Sequence, residues 1–171
     1  MRFTEQYKQL QKQLHQTSPD YGTSGYKHAD RIQQLAKQIG TKDLLDYGCG
    51  KQTLSKSLPF AITNYDPFIA GFDADPRVHD LVVCSDVLEH IEPECIGDVI
   101  THLSSKVGKA LFVDVACRPA KKVLADGRNA HLIQTAPSWW LTQLMQYLEP
   151  GFFQTYEGGF VAVFMPREAS K

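Results

Sequence analysis

Apolar residues first recur every three or four positions. Phe3, Tyr7, Leu10 and Leu14 share one face, which predicts an amphipathic helix over residues 3–16. Ser18 to Gly25 is crowded with turn formers and reads as a loop. Helical spacing returns at Ile32, Leu35, Ala36 and Ile39, and Gly40 stops it. The pattern then changes. Asp43–Tyr47 and Ala61–Asp66 read as strands, and Asp80–Ser85 and Ala110–Ala116 are apolar runs of the kind that strands buried on both faces carry. Between them, a polar segment from Lys51 opens a short helix ended by Pro59, and Ile96, Val99, Ile100, Leu103 and Val107 mark a longer one. Pro137 opens a last helix through Trp140, Leu141, Leu144, Met145 and Leu148, closed by Pro150-Gly151. Phe152–Tyr156 and Phe160–Met165 flank Glu157-Gly158-Gly159 as a β-hairpin.

Strands that alternate with helices and end in a hairpin imply a three-layer α/β sandwich, mostly parallel, with an antiparallel C-terminal pair. Two units are expected: an N-terminal helix and lid loop over 1–24, and the sandwich over 25–171. At 171 residues the chain is long enough for one sizeable core. A formal net charge of −1 gives no global reason to seek nucleic acid. The four cysteines lie far apart without a CxxC pair, so free thiols in a reducing cytoplasm are expected. The histidines do not fall at metal-ligand spacing with them, and no metal is expected. No signal peptide and no membrane-spanning run is read.

The chemistry begins at Leu44-Leu45-Asp46-Tyr47-Gly48-Cys49-Gly50. An apolar run stops at an acid and turns through two glycines spaced by one residue. Glycine permits the tight turn and lets a ligand lie on the backbone. The amides at the following helix start then face a carboxylate or phosphate. Asp66 lies 20 residues after Asp46, at the end of the second strand, where a dinucleotide-type fold puts an acid on ribose hydroxyls.

Together, Leu45-Asp46-Tyr47-Gly48-Cys49-Gly50, Tyr65-Asp66-Pro67 and Asp86-Val87-Leu88-Glu89-His90-Ile91 resemble the motifs of class I S-adenosylmethionine-dependent methyltransferases. The resemblance covers roughly residues 25–165 and implies a Rossmann-like sandwich whose hairpin holds an antiparallel last strand. There are two departures. Gln52 stands where such enzymes usually carry a third glycine. Only 13 residues separate Asp66 from Asp80, so the third-strand region should be shortened around Gly71–Val78, with Asp73 and Asp75 the acids nearest to hand for adenine.

The resemblance implies S-adenosylmethionine as cofactor and S-adenosylhomocysteine as its product. Asp46, Gly48, Cys49, Gly50, Asp66, Pro67, Ser85 and Asp86 are the expected cofactor contacts. Asp66 would take the ribose, Pro67 and Phe68 the adenine, and Asp46 the ammonium. The substrate side is expected from segments these motifs leave unused, through Arg118, Arg128, Asn129, His131 and Trp139. His131 is the candidate base and Asp86 its catalytic companion, with a role for His131 as a loop anchor weighed equally. Glu89 and His90 read as structural rather than catalytic. Trp140 fits the apolar helix stripe.

The Asp-Val-Leu-Glu-His form resembles enzymes that methylate O or N of small molecules, here an anionic or sugar-like acceptor. A nucleic-acid or protein methyltransferase, and a cofactor-binding module without catalysis, stand as alternatives. A monomer or homodimer is expected, without nucleic acid or membrane as partner.

Overall fold

Strand alternation builds the layers. In the computed structural model, which describes residues 1–167, successive strand residues point to opposite faces of one six-stranded sheet. Leu44, Leu81, Val83, Ala110 and Phe112 meet one helical layer, whereas Leu45, Val82, Cys84, Leu111 and Val113 meet the other. The strands are β1 (Leu44–Tyr47), β2 (Thr63–Tyr65), β3 (His79–Ser85), β4 (Val107–Ala116), β5 (Leu148–Tyr156) and β6 (Gly159–Pro166). Their order is β2-β1-β3-β4-β6-β5. The first four are parallel, and β6 runs antiparallel between β4 and β5.

The helices are α1 (Glu5–Thr17), α2 (Ala29–Gln38), α3 (Thr53–Ser57), α4 (Ile96–Ser104) and α5 (Pro137–Leu144). Ile32 and Ala36 of α2 and Leu54 of α3 cover one sheet face. Val99, Ile100 and Leu103 of α4 and Trp140 and Leu144 of α5 cover the other. The expected sandwich is therefore the observed one. No helix among the described residues is long and apolar enough to cross a membrane. The four cysteines are free, and Cys49, Cys84 and Cys95 are buried.

The N-terminal helix does not stand apart from the sandwich. Tyr7 and Leu14 share a third core with Leu124 and Ala130, and Phe68 packs against it. Thr4 caps α1 by accepting from the Tyr7 amide at 3.1 Å, and the Glu92 carboxylate accepts from Thr4 in turn. The Tyr7 hydroxyl donates to the His90 carbonyl, Gln11 donates to Tyr7 at 2.6 Å, and Tyr21 donates to Gln11 at 2.9 Å. This buried chain lays α1 across the C-terminal ends of the parallel strands.

Several boundaries move. The stripe that predicted a helix through Leu148 ends at Leu144, because Leu148 is buried equally well as the first residue of β5. Pro150 sits inside that strand, at an irregularity on the sheet edge where its missing N–H costs no ladder bond. Val107 likewise opens β4 instead of ending α4. A 3₁₀ turn, Ser24–His28, replaces part of the expected loop. The shortening of the third-strand region is complete: residues 66–78 hold no strand, and Asp66–Phe72 folds into a tight turn closed from the Asp66 amide to the Phe72 carbonyl at 2.9 Å. Residues 168–171 of the expected 25–171 unit lie outside the described residues.

Gln52 explains its own departure. It adopts φ 58°, ψ 35°, the left-handed conformation that glycine adopts without a Cβ clash. Its side chain makes no capping hydrogen bond in return. Gln52→Gly is expected to stabilise the fold by about 0.5–1 kcal/mol, the relief of Cβ strain less the added chain entropy. Thermal unfolding should then show a midpoint raised by about 2 °C, and an unchanged or lowered midpoint would contradict the strain assignment.

Candidate functional site

The bend after β1 is held by close approaches that only glycine allows. Gly48 has φ +83°, and a Cβ there would meet Val87 Cγ2 at 2.4 Å. Gly50 has φ +48°, and a Cβ there would meet the Gly22 carbonyl oxygen at 2.6 Å. Gly22 in turn accepts a 2.8 Å hydrogen bond from the Lys51 amide. The bend, the Val87 turn and the Tyr21–Gly25 loop are thus pressed together at backbone distance.

A cleft opens beside this contact. Of the residues expected at the cofactor, Gly48, Gly50, Asp66, Pro67 and Asp86 line it. Asp46 and Cys49 are buried and are not among its walls, and Ser85 turns toward Asp114 at 3.5 Å. The roof comes from Tyr21 of the expected lid loop and from Phe3, Tyr7, Gln11 and His15, residues of the N-terminal segment that the sequence reading did not assign to the site. Phe3 and Tyr7 meet the edge or face of Phe68 at 5.1 and 5.7 Å.

Asp66 is 5% exposed and is already engaged by the chain. One carboxylate oxygen accepts from the Gly50 amide at 3.2 Å and the other from the Phe68 amide at 3.0 Å. Burial raises its pKa, and the two amides and His15 oppose the rise. Burial, and secondarily the charge on Asp66, pushes Asp46 up to about 7. His15 Nδ1 is buried with no hydrogen-bond partner, in the cleft wall near Asp66. That nitrogen is open to a hydrogen bond with a group in the cleft.

At the other end of the cleft, Asp86, His90 and His131 converge. Asp86 is held in the left-handed conformation, φ 58°, by an amide bond to the Asp114 carbonyl at 2.9 Å, and its carboxylate accepts from Ser24 at 3.0 Å. His90 lies 4.7 Å from His131, ring edge to ring face. Burial lowers the His90 pKa to about 4, so the ring is neutral. Glu89, expected to be structural, is wholly buried; one oxygen accepts from the Ala116 amide at 2.7 Å and the other has no partner.

The remaining expected substrate residues separate. The Arg118 stem lies against Gly158, and among the described residues its guanidinium has no acidic partner. Arg128 pairs with Asp126 at 2.7 Å on the surface. Asn129 is consumed as a staple: its carbonyl accepts from the Ala120 and His131 amides and its amide donates to Ala120, all at 2.9 Å. Trp139 packs on Trp140 against the core, away from the cleft. Asp75 is taken by Lys106 and His102, and Asp73 lies outside the cleft.

One polar cluster was not read from the sequence. Asp114 accepts from Tyr156 at 2.7 Å and pairs with His28 Nε2 at 2.8 Å, beside Ser85. Its signal was present: an acid interrupting the apolar run Leu111-Phe112-Val113 and Val115-Ala116.

Solved structures with this fold include 1,6-didemethyltoxoflavin-N1-methyltransferase from Burkholderia thailandensis, at TM-score 0.66 and 12% identity over 95% of this chain and 90% of that one. Magnesium protoporphyrin IX methyltransferase from Synechocystis gives 0.65 and 13% over 94% and 97%. The N-methyltransferase NodS from Bradyrhizobium japonicum gives 0.63 and 16% over 96% and 100%. Among curated proteins, none matches the sequence. The methyltransferase-domain family matches residues 20–155, a span that holds the glycine bend, Asp66 and the Asp86–Ile91 turn, and the chain belongs to that family.

Proposed function

We propose that this methyltransferase binds S-adenosylmethionine in the roofed cleft and passes its methyl group to oxygen or nitrogen of a small acceptor. The observation that carries the reading is one continuous wall: the paired-glycine bend, the Asp66 carboxylate and the unpartnered His15 Nδ1. The three relatives above are named for small-molecule methylation or are solved with S-adenosylhomocysteine or S-adenosylmethionine, which supports the same cofactor here.

The residues fit that ligand part by part. Asp66 would accept from the ribose hydroxyls, with Pro67 and Phe68 against the adenine. The bend would carry the methionine portion, and Asp46 behind it would favour the ammonium. When bound, the sulfonium supplies an electrophilic methyl group. The chain's own contribution is to align, to exclude water under α1 and Tyr21, and to hold the acceptor. Asp86, His90 and His131 stand at the acceptor end. Arg118 suits an anionic acceptor, whereas Arg128, Asn129 and Trp139 are engaged within the chain and drop out of this proposal.

Asp66→Asn is expected to weaken S-adenosylhomocysteine binding by roughly 10–100-fold in calorimetry, the loss of a charge-assisted acceptor worth about 1.5–3 kcal/mol. Unchanged affinity would remove Asp66 from the ribose. His131→Ala should lower turnover while leaving S-adenosylhomocysteine affinity within about twofold, since His131 is not among the cleft walls.

Asp46 gives a pH signature. Its folded pKa of about 7 exceeds the ordinary 3.8, so in the ligand-free protein its contribution to stability falls as pH rises from about 4 to 7 and is flat above. The ammonium of the ligand favours the ionised carboxylate. S-adenosylhomocysteine affinity should therefore rise with pH toward 7, by up to about tenfold per unit. Asp46→Asn should flatten both slopes. Calorimetry and unfolding between pH 5 and 8 read them, and a wild-type affinity independent of pH would reject the ammonium contact.

A further inference from the structure

The Asp86–His90–His131 cluster has a feature that a pair of packed histidines does not need. His90 Nδ1 lies 2.8 Å from the Ala130 carbonyl and His131 Nδ1 lies 2.6 Å from the Arg118 carbonyl. A carbonyl only accepts, so both rings carry their proton on Nδ1. Each Nε2 is thereby left with a free lone pair, and among the described residues neither is hydrogen-bonded. One donor atom from each of Asp86, His90 and His131 lies within 4.8 Å of the others. Two imidazoles whose Nδ1 protons are fixed by backbone carbonyls, grouped with a carboxylate, have the outer-partner arrangement of metal-bound histidines.

We propose that Asp86, His90 and His131 form a three-ligand site for a divalent first-row transition ion at the acceptor end of the cleft. Two nitrogens and one carboxylate oxygen suit that class, and three protein ligands leave positions open for a substrate. Bonds of about 2.0–2.1 Å put tetrahedral donors about 3.3 Å apart. The donors start within 4.8 Å of one another, and the Asp86 carboxylate is tied by one hydrogen bond, to Ser24, which leaves it able to rotate as the spacing closes. The two rings are held in place already. The spacing in sequence hides the site: His90 follows Asp86 by four residues, and His131 arrives on the 118–131 segment, with its backbone amide bonded to Asn129.

The site deepens the proposed methyl transfer and rests on it for its chemical role. Asp86 and His90 line the cleft proposed for the cofactor, so an ion held by them would stand beside it. The acceptor class becomes a hydroxyl able to bind the ion. The bound hydroxyl releases its proton to solvent water, the O–CH3 bond forms as the S–CH3 bond breaks, and the breaking pair returns to sulfur. The products are the methyl ether and S-adenosylhomocysteine. The tautomer that serves a base also serves a ligand, and the second imidazole in the same state assigns His131 to the ion.

The test uses untagged full-length protein stripped with chelator and titrated with Co2+, read by visible d–d absorption and calorimetry. One equivalent should bind and raise the unfolding midpoint. His90→Gln, His131→Gln and Asp86→Asn should each weaken binding by more than about 100-fold, beyond the effect of losing an outer partner. Absence of a d–d band, or affinity untouched by both histidine substitutions, overturns the site. S-adenosylhomocysteine binding to the same stripped protein separates the two readings. If it binds and Co2+ does not, the metal site fails and the cofactor reading stands; if Co2+ alone binds, the reverse holds.

Discussion

The structure depends on backbone meeting backbone at the bend after β1. Gly22 sits against Gly50 with no room for a Cβ, and Val87 fills the space a Cβ on Gly48 would need. One contact therefore joins the loop after α1, the floor of the cleft and the turn after β3. A methyl group on Gly50 would push the Gly22 backbone away, and one on Gly48 would displace the Val87 side chain. The same contact puts the Asp66 carboxylate within reach of the Gly50 amide, so the acid at the end of β2 is oriented before any ligand arrives. Pre-orientation of this kind lowers the ordering cost of binding.

The roof is held by a different balance. Tyr7 and Leu14 are buried in the third core, and burying such side chains is worth about 1.5–3 kcal/mol each. The Tyr7–Gln11–Tyr21 and Thr4–Glu92 hydrogen bonds add about 1 kcal/mol apiece, but leaving any one buried partner unpaired would cost more than that. Apolar burial thus supplies the attraction, and the polar chain selects the register. This arrangement also makes the N-terminal segment part of the site instead of an appendage to it.

β1, β3 and β4 were legible because burial on both faces gives apolar runs, and the glycine bend because glycine adopts those angles without strain. Asp66 was legible from its distance to Asp46. What the sequence concealed are contacts between distant positions. His28 and Asp114 are 86 residues apart, and Asp86 and Ser24 are 62. Periodicity carries no information about such pairs. Asn129, Arg128 and Trp139 looked available because residue type alone does not reveal that a loop has used its own polar groups or that a helix has turned an indole inward. Leu148 misled for the converse reason: one buried leucine satisfies a helix and a strand alike.

Among the described residues, two other than glycine take the left-handed conformation: Asp86, in the cleft wall, and Gln52, two residues beyond Gly50 of the bend. Their compensation differs. Asp86 has an amide bond to the Asp114 carbonyl and a carboxylate bond from Ser24, so its conformation is fixed from both ends. Gln52 has its amide bonded to the Cys49 carbonyl, and its side chain returns no capping bond. Strain that the surroundings hold in place marks a position whose side chain must point one way. By that criterion the direction of Asp86 is the constrained one. It sets the carboxylate beside two imidazoles whose Nδ1 protons are pinned by backbone carbonyls, a grouping that a plain nucleotide site does not need.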